Sequence, residues 1–113
     1  MIPRIAELIA SQEGYNVPGS IPWTHHNPGD LRHSPHSFHS PMAPDAIGTI
    51  PTAEEGWEDL IRQLNLYAAR GLTVGQAIYE WAPPSDGNNT TAYLMYIIGG
   101  LGCGTDTPLS EAM

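Results

Sequence analysis

The chain contains no lysine, one cysteine, one phenylalanine and no apolar run long enough to span a bilayer. Its four basic residues, Arg4, Arg32, Arg62 and Arg70, stand against twelve acidic ones, for a net charge of −8. No basic stripe results, so nucleic acid is not an expected partner. The same acidity works against long-range capture by anionic membranes or other anionic polymers. The lone Cys103 excludes a disulfide framework and reads as a small apolar residue of the interior. Residues 1–7, Met-Ile-Pro-Arg-Ile-Ala-Glu, lack a basic leader followed by a continuous apolar stretch. Synthesis in the cytoplasm without a signal peptide is therefore expected, and work outside the cell would need release or another export route.

What remains is enough for one unit. A chain of 113 residues, 41% hydrophobic, predicts a single domain over 1–113 with one modest core, expected as a monomer. Twelve glycines and eleven prolines predict short helices and many loops. Ile2, Ile5, Leu8 and Ile9 fall on one face of a helix over 2–13 that Gly14 ends. Prolines 18, 22, 28, 35, 41 and 44 forbid a long helix in 15–50; short strands are expected at Gly29–Arg32 and Ile47–Ile50, forming a small hairpin lobe. Thr52 and Glu55 have capping-box spacing and open a helix over 52–70. Its buried stripe is expected to be Trp57, Leu60, Ile61, Leu64 and Ala68, widened by Leu66 and Tyr67, with Glu54, Glu55, Glu58 and Asp59 complementing the dipole at its start. Thr73 caps a helix over 74–81 with Trp81 inward, and Pro83-Pro84 stop it. A helix over 90–98, a glycine-rich turn at 99–104 and a last turn from Thr107-Pro108 complete the chain.

The chemistry gathers in residues 13–32. A helix delivers one carboxylate, Glu13, to its last turn, and a loop broken by glycine and proline follows with Tyr15, Asn16, Trp23, His25, His26, Asn27, Asp30 and Arg32. An acid at a helix end facing aromatic, amide and imidazole groups suits cleavage of a sugar bond.

Four segments carry a family resemblance: Ala10-Ser11-Gln12-Glu13-Gly14-Tyr15; Asn27-Pro28-Gly29-Asp30-Leu31-Arg32; Ile47-Gly48-Thr49-Ile50-Pro51-Thr52-Ala53-Glu54-Glu55-Gly56-Trp57; and Trp81-Ala82-Pro83-Pro84 followed by Asn88-Asn89-Thr90-Thr91-Ala92-Tyr93. In order and spacing, over about residues 5–98, the chain resembles small phage-type peptidoglycan lytic enzymes of the lysozyme-like superfamily, the group of goose-type lysozymes and lytic transglycosylases. The resemblance implies a mainly α, lysozyme-like fold (α+β) of four to five short helices, with the hairpin lobe beside a substrate cleft. It implies that Glu13 is the catalytic acid, that the 27–32 segment lines the cleft floor, and that Tyr93 faces the acid. The substrate implied is the β-1,4 bond between N-acetylmuramic acid and N-acetylglucosamine, cleaved in the bacterial wall after release or from a phage particle. Gly14 follows the acid where lytic transglycosylases commonly carry serine, and their Gly-Leu-Met-Gln segment is absent.

A general acid must hold a proton near neutrality, which burial against apolar groups favours; Tyr15 and Trp23 are the candidate wall. Asp30 and Asp45 are the candidates for a second carboxylate, standing roughly 5 Å away as a nucleophile or roughly 6.5–9.5 Å away as a base. A transglycosylase needs neither, because the sugar's own C6 hydroxyl attacks. Asn16, Asn27, Asn88 and Asn89 suit N-acetyl and hydroxyl groups. Trp23, Trp81 and Tyr93 offer flat faces, although Trp57 and Trp81 also read as core, and His26 is placed to hold substrate. His33, His36 and His39 read as a histidine-rich surface loop rather than a metal site, since Pro35 breaks any regular spacing and no cysteine joins them. No cofactor is implied. The competing readings are a non-catalytic acidic module, structural or inhibitory, that kept the fold, a chitin-cleaving enzyme, and a metal protein built on the His loop.

Overall fold

A computed structural model describes all 113 residues. Six α-helices follow in the order α1 (Arg4–Glu13), α2 (Ile21–Thr24), α3 (Ala53–Ala69), α4 (Val74–Trp81), α5 (Thr90–Leu101) and α6 (Leu109–Ala112), with a 3-10 turn at Pro84–Asp86 before α5. Each boundary has a local cause. Gly14 takes a left-handed φ of 90° and its N–H satisfies the carbonyls of Ala10 and Ser11, which stops α1. Thr52 accepts from the Glu55 N–H at the start of α3, and Thr73 with Gln76 closes a reciprocal capping box on α4. Asn89 caps α5 through its side chain.

The core is one cluster. Ile5, Ala6, Leu8 and Ile9 of α1 meet Leu60 and Leu64 of α3, Val74, Ala77 and Ile78 of α4, Tyr93 and Ile97 of α5, and Leu109 of α6. Helix α1 packs mainly on α5, α4 also packs on α5, and α3 touches α1 and α6. Cys103 packs against this cluster, half-buried. A radius of gyration of 13.5 Å matches the ~13 Å of a single compact domain of this length. No helix is long and apolar enough to cross a membrane.

Several expectations change. The fold is mainly helical, but there are six helices, because α2 adds a single turn that was not expected. Ser20 makes α2 possible by accepting from the Trp23 N–H, with Pro22 fitting the first turn. Helix α5 runs on through Gly99 and Gly100 to Leu101. Gly100 permits this: a Cβ there would lie 2.6 Å from a Leu8 methyl, so the glycine lets α1 and α5 approach. Leu66 is exposed rather than part of the α3 stripe, and Asp59 is buried rather than solvated at the helix start. The two strands do not form. Only an isolated antiparallel bridge between Phe38 and Thr49 appears, with the Gly48 N–H donating to Leu31.

The reason is Asn27, which is fully buried. Its amide donates to Leu31 O at 2.8 Å and Gly48 O at 2.9 Å, and its Oδ1 accepts from Leu31 N at 3.0 Å. One side chain thus joins the two segments where a hydrogen-bond ladder would otherwise be needed.

Candidate active site

Helix α1 ends with Glu13 pointing at α5. The Tyr93 Oη donates to Glu13 Oε2 at 2.7 Å. Tyr93 is buried, and burial, then the charge of Glu13, pushes its phenol above the ordinary range, so it stays a donor. The turn after α1 is pinned by the Ser20 hydroxyl, which donates to Gly14 O at 2.7 Å.

Facing Glu13 is the loop that Asn27 clamps. Gly29 has no room for a side chain, since a Cβ would meet Trp81 Cζ2 at 3.0 Å and Leu60 Cδ1 at 3.1 Å. Asp30 follows with a left-handed φ of 52°, a conformation aspartate tolerates better than most residues. Its N–H closes a turn to Asn27 O at 3.0 Å. The result places Asp30 on the same cavity as Glu13.

That cavity, about 370 Å³, has walls from several separate stretches of the chain besides Glu13. Gly29 to Arg32 and Ile47 form one side. Gln63 and Tyr67 come from α3, and Glu80, Trp81 and Ala82 from the end of α4. Asp86 and Asn88 close it. Tyr67 and Trp81 stand edge to face with centroids 6.1 Å apart. Glu80 is held by two hydrogen bonds from Arg70, at 2.6 and 2.9 Å, which keep its carboxyl below the usual range.

Burial raises the Glu13 pKa from 4.5 to about 7; the Tyr93 hydrogen bond opposes this, while the negative charge and hydrogen bond of Asp30 add to it. Burial also raises Asp30, against the lowering effects of Glu13, His25 and Arg32. The two carboxyls therefore titrate as a pair, with the proton held first on Glu13. Asp30 Oδ1 is buried and receives no N–H or O–H from the rest of the chain. The group able to donate to it is the Glu13 carboxyl itself, when protonated.

The expected site residues divide. Glu13, Asp30 and Tyr93 come together. Asn27 is spent on backbone and cannot meet a ligand. Asn89 is spent as the α5 cap. Asp45 lies outside the cavity on an exposed loop, its side chain 92% accessible and 3.5 Å from His33. It is not poised against Glu13, because prolines 41 and 44 carry that loop outward. Tyr15 packs edge-on against Trp57 at 5.5 Å and does not line the cavity. Asn16 is exposed, and Trp23, on α2, is 49% exposed; neither lines the cavity. His26 turns away to Ile50 O, at 3.1 Å.

Gln63, Tyr67, Glu80 and Asp86 were not legible as site residues. Gln63 and Tyr67 are four apart on α3, a spacing that puts them on one face, but nothing local marks that face as a cavity wall.

The His loop forms no metal cluster. Instead His36 Nδ1 lies 2.6 Å from Asp59 Oδ1, and the Ser34 hydroxyl donates to Asp59 Oδ2 at 2.6 Å. Because Ser34 donates to the carboxylate rather than to the imidazole, this trio lacks a base-activated nucleophile. It ties the 34–37 loop to α3.

No protein-family model matches the chain, and no curated protein or solved structure is significantly similar to it.

Proposed function

We propose that this chain is a glycoside-cleaving enzyme of the lysozyme-like kind, acting on β-1,4 bonds between N-acetylmuramic acid and N-acetylglucosamine, with Glu13 as general acid. The observation that carries the reading is a carboxyl at a helix end, opening on a cavity and holding its proton to about pH 7. The ordered segments resembling lytic enzymes supply the substrate class. Trp81 and Tyr67 offer apolar faces for sugar rings, and Gln63 and Asn88 offer amides for N-acetyl and hydroxyl groups.

A carboxylate that accepts the acid's own proton is not free to attack C1 or to activate water. Asp30 is therefore poorly placed as a second catalytic carboxylate, and Glu80 is engaged by Arg70. This favours the transglycosylase course, which needs one acid. Glu13 gives its proton to the leaving glycosidic oxygen as the C1–O bond breaks. The C6 hydroxyl of the same sugar then closes on C1, returning its proton to Glu13 and leaving a 1,6-anhydro ring. Asp86, the remaining wall carboxylate, is the one that would have to serve hydrolysis.

Turbidity of purified cell walls tests the activity. Glu13→Gln should lower the rate by roughly 10²–10⁴-fold, the usual worth of general acid catalysis. Equal rates for the two proteins would sink the reading. Mass spectrometry of the released fragments separates the courses, since anhydro products weigh one water less. Activity on chitin alone would move the substrate, and none on either glycan would favour a non-catalytic acidic module.

A further inference from the structure

We propose that Asp30 is the positioning residue for the Glu13 proton: its buried, otherwise unpartnered Oδ1 accepts the hydrogen bond of the protonated acid and fixes which oxygen carries the proton. The inference rests on the reading of Glu13 as general acid and adds what controls the pH range of that acid.

The geometry sets the roles. Tyr93 donates to Glu13 Oε2, which occupies that oxygen as an acceptor and leaves Oε1 to carry the proton. Asp30 Oδ1 is sealed from solvent with no donor from elsewhere in the chain. A buried acceptor without a donor is costly, and a proton on Glu13 relieves it. The backbone is arranged to make this contact. Asn27 holds the Leu31 N–H, and Asp30 sits at a φ of 52°, which turns its carboxyl inward rather than along the loop. Glu13 and Asp30 line the same cavity, and two carboxylates sharing a site favour one proton held between them, as in carboxylate dyads.

The residue type matters as much as the place. Asparagine tolerates the left-handed region equally well and nearly matches aspartate in shape. Its amide would donate to Glu13, however, and a donor stabilises the carboxylate anion and releases the proton. Aspartate only accepts, so it holds the proton in place. The other groups facing the pair are Tyr93 from α5, His25 and Arg32 flanking Asp30, and Tyr67, Glu80 and Asp86 around the cavity. Of these, Arg32 and His25 act on Asp30, keeping it the anionic partner.

The test follows Glu13 by carbon-detected NMR of glutamate-labelled protein through a pH titration, beside the pH profile of wall lysis. The wild-type carboxyl should titrate near 7. In Asp30→Asn the midpoint should fall by about one unit, and the alkaline limb of lysis should fall with it, costing about fivefold at neutral pH and much less at acid pH. Asp30→Gly, which accepts the left-handed backbone without strain, removes the carboxylate by a second route and should move the midpoint the same way. An unchanged midpoint in both variants overturns the proposal, as does an equal loss of lysis at every pH. If walls resist even the wild type while the midpoint still falls, the positioning role stands and the assigned activity fails.

Discussion

Replacing Asn27 by alanine separates a structural asparagine from a ligand-binding one. The side chain is fully buried and makes three hydrogen bonds to backbone. Truncation leaves the Leu31 N–H and the Gly48 carbonyl without partners, whereas Leu31 O keeps the Gly48 N–H at 2.9 Å. Two orphaned backbone groups at about 1–3 kcal/mol each give a loss near 3 kcal/mol, a large share of the 5–15 kcal/mol of an ordinary domain. At roughly 4 °C per kcal/mol for a chain of this size, the melting temperature should fall by about 12 °C. Circular dichroism at neutral pH, with urea unfolding for the free energy, measures it. Because the clamp also sets Asp30, lysis should fall even at temperatures where the variant is folded. A melting temperature within about 2 °C of wild type, with lysis lost, would mean that Asn27 meets substrate after all, and the clamp argument would be refuted.

Three further outcomes follow from single contacts. Gly99→Ala lies in open space on α5 and should stabilise the chain by about 0.5–1 kcal/mol. Gly56→Ala should instead destabilise by ~1–3 kcal/mol or more, because its Cβ would fall 2.0 Å from the His26 carbonyl oxygen, although helix propensity alone predicts a gain. Thermal melts of the pair give opposite signs if the approach of α3 to the 26–28 loop is real. The third concerns His36, whose pKa lies above 6.5 mainly because of its hydrogen bond to Asp59, with burial opposing and the charges of Asp59, Glu55 and Glu58 assisting. A raised pKa means that its contribution is complete below pH 6.5 and fades as pH climbs through the folded-state value. The melting difference between wild type and His36→Gln should therefore be larger near pH ~5.5 than near pH ~8.5; a flat difference would show that the ion pair adds nothing.

Helices α1, α3, α4 and α5 were legible because their signals are local: apolar residues at helical spacing, Thr52 and Thr73 at two of the starts, Gly14 at one end. The place of Glu13 at the end of α1 was legible from Gly14, which stops the helix there. The Gly29–Arg32 and Ile47–Ile50 segments misled because each is a short stretch between proline-broken loops, and joining them by one buried amide leaves no periodic trace. Asp59 misled for a related reason. A carboxylate in the first turns of a helix is normally satisfied by the dipole and water, and only a loop 25 residues earlier in the chain reveals that it is buried under Ser34 and His36. The cavity wall from Gln63, Tyr67, Glu80 and Asp86 depends on how three elements pack, which no single stretch encodes.

Glu13 and the phenol that steadies it are 80 positions apart. A growing polypeptide exposes the carboxyl well before its companion, so the pair has no half-built form. A nascent strand stalled before Tyr93 emerges would carry the acid in water, with an ordinary titration and nothing to act upon. Assembly of the whole bundle is thus what brings the two side chains together, and a local breakage of either α1 or α5 separates them.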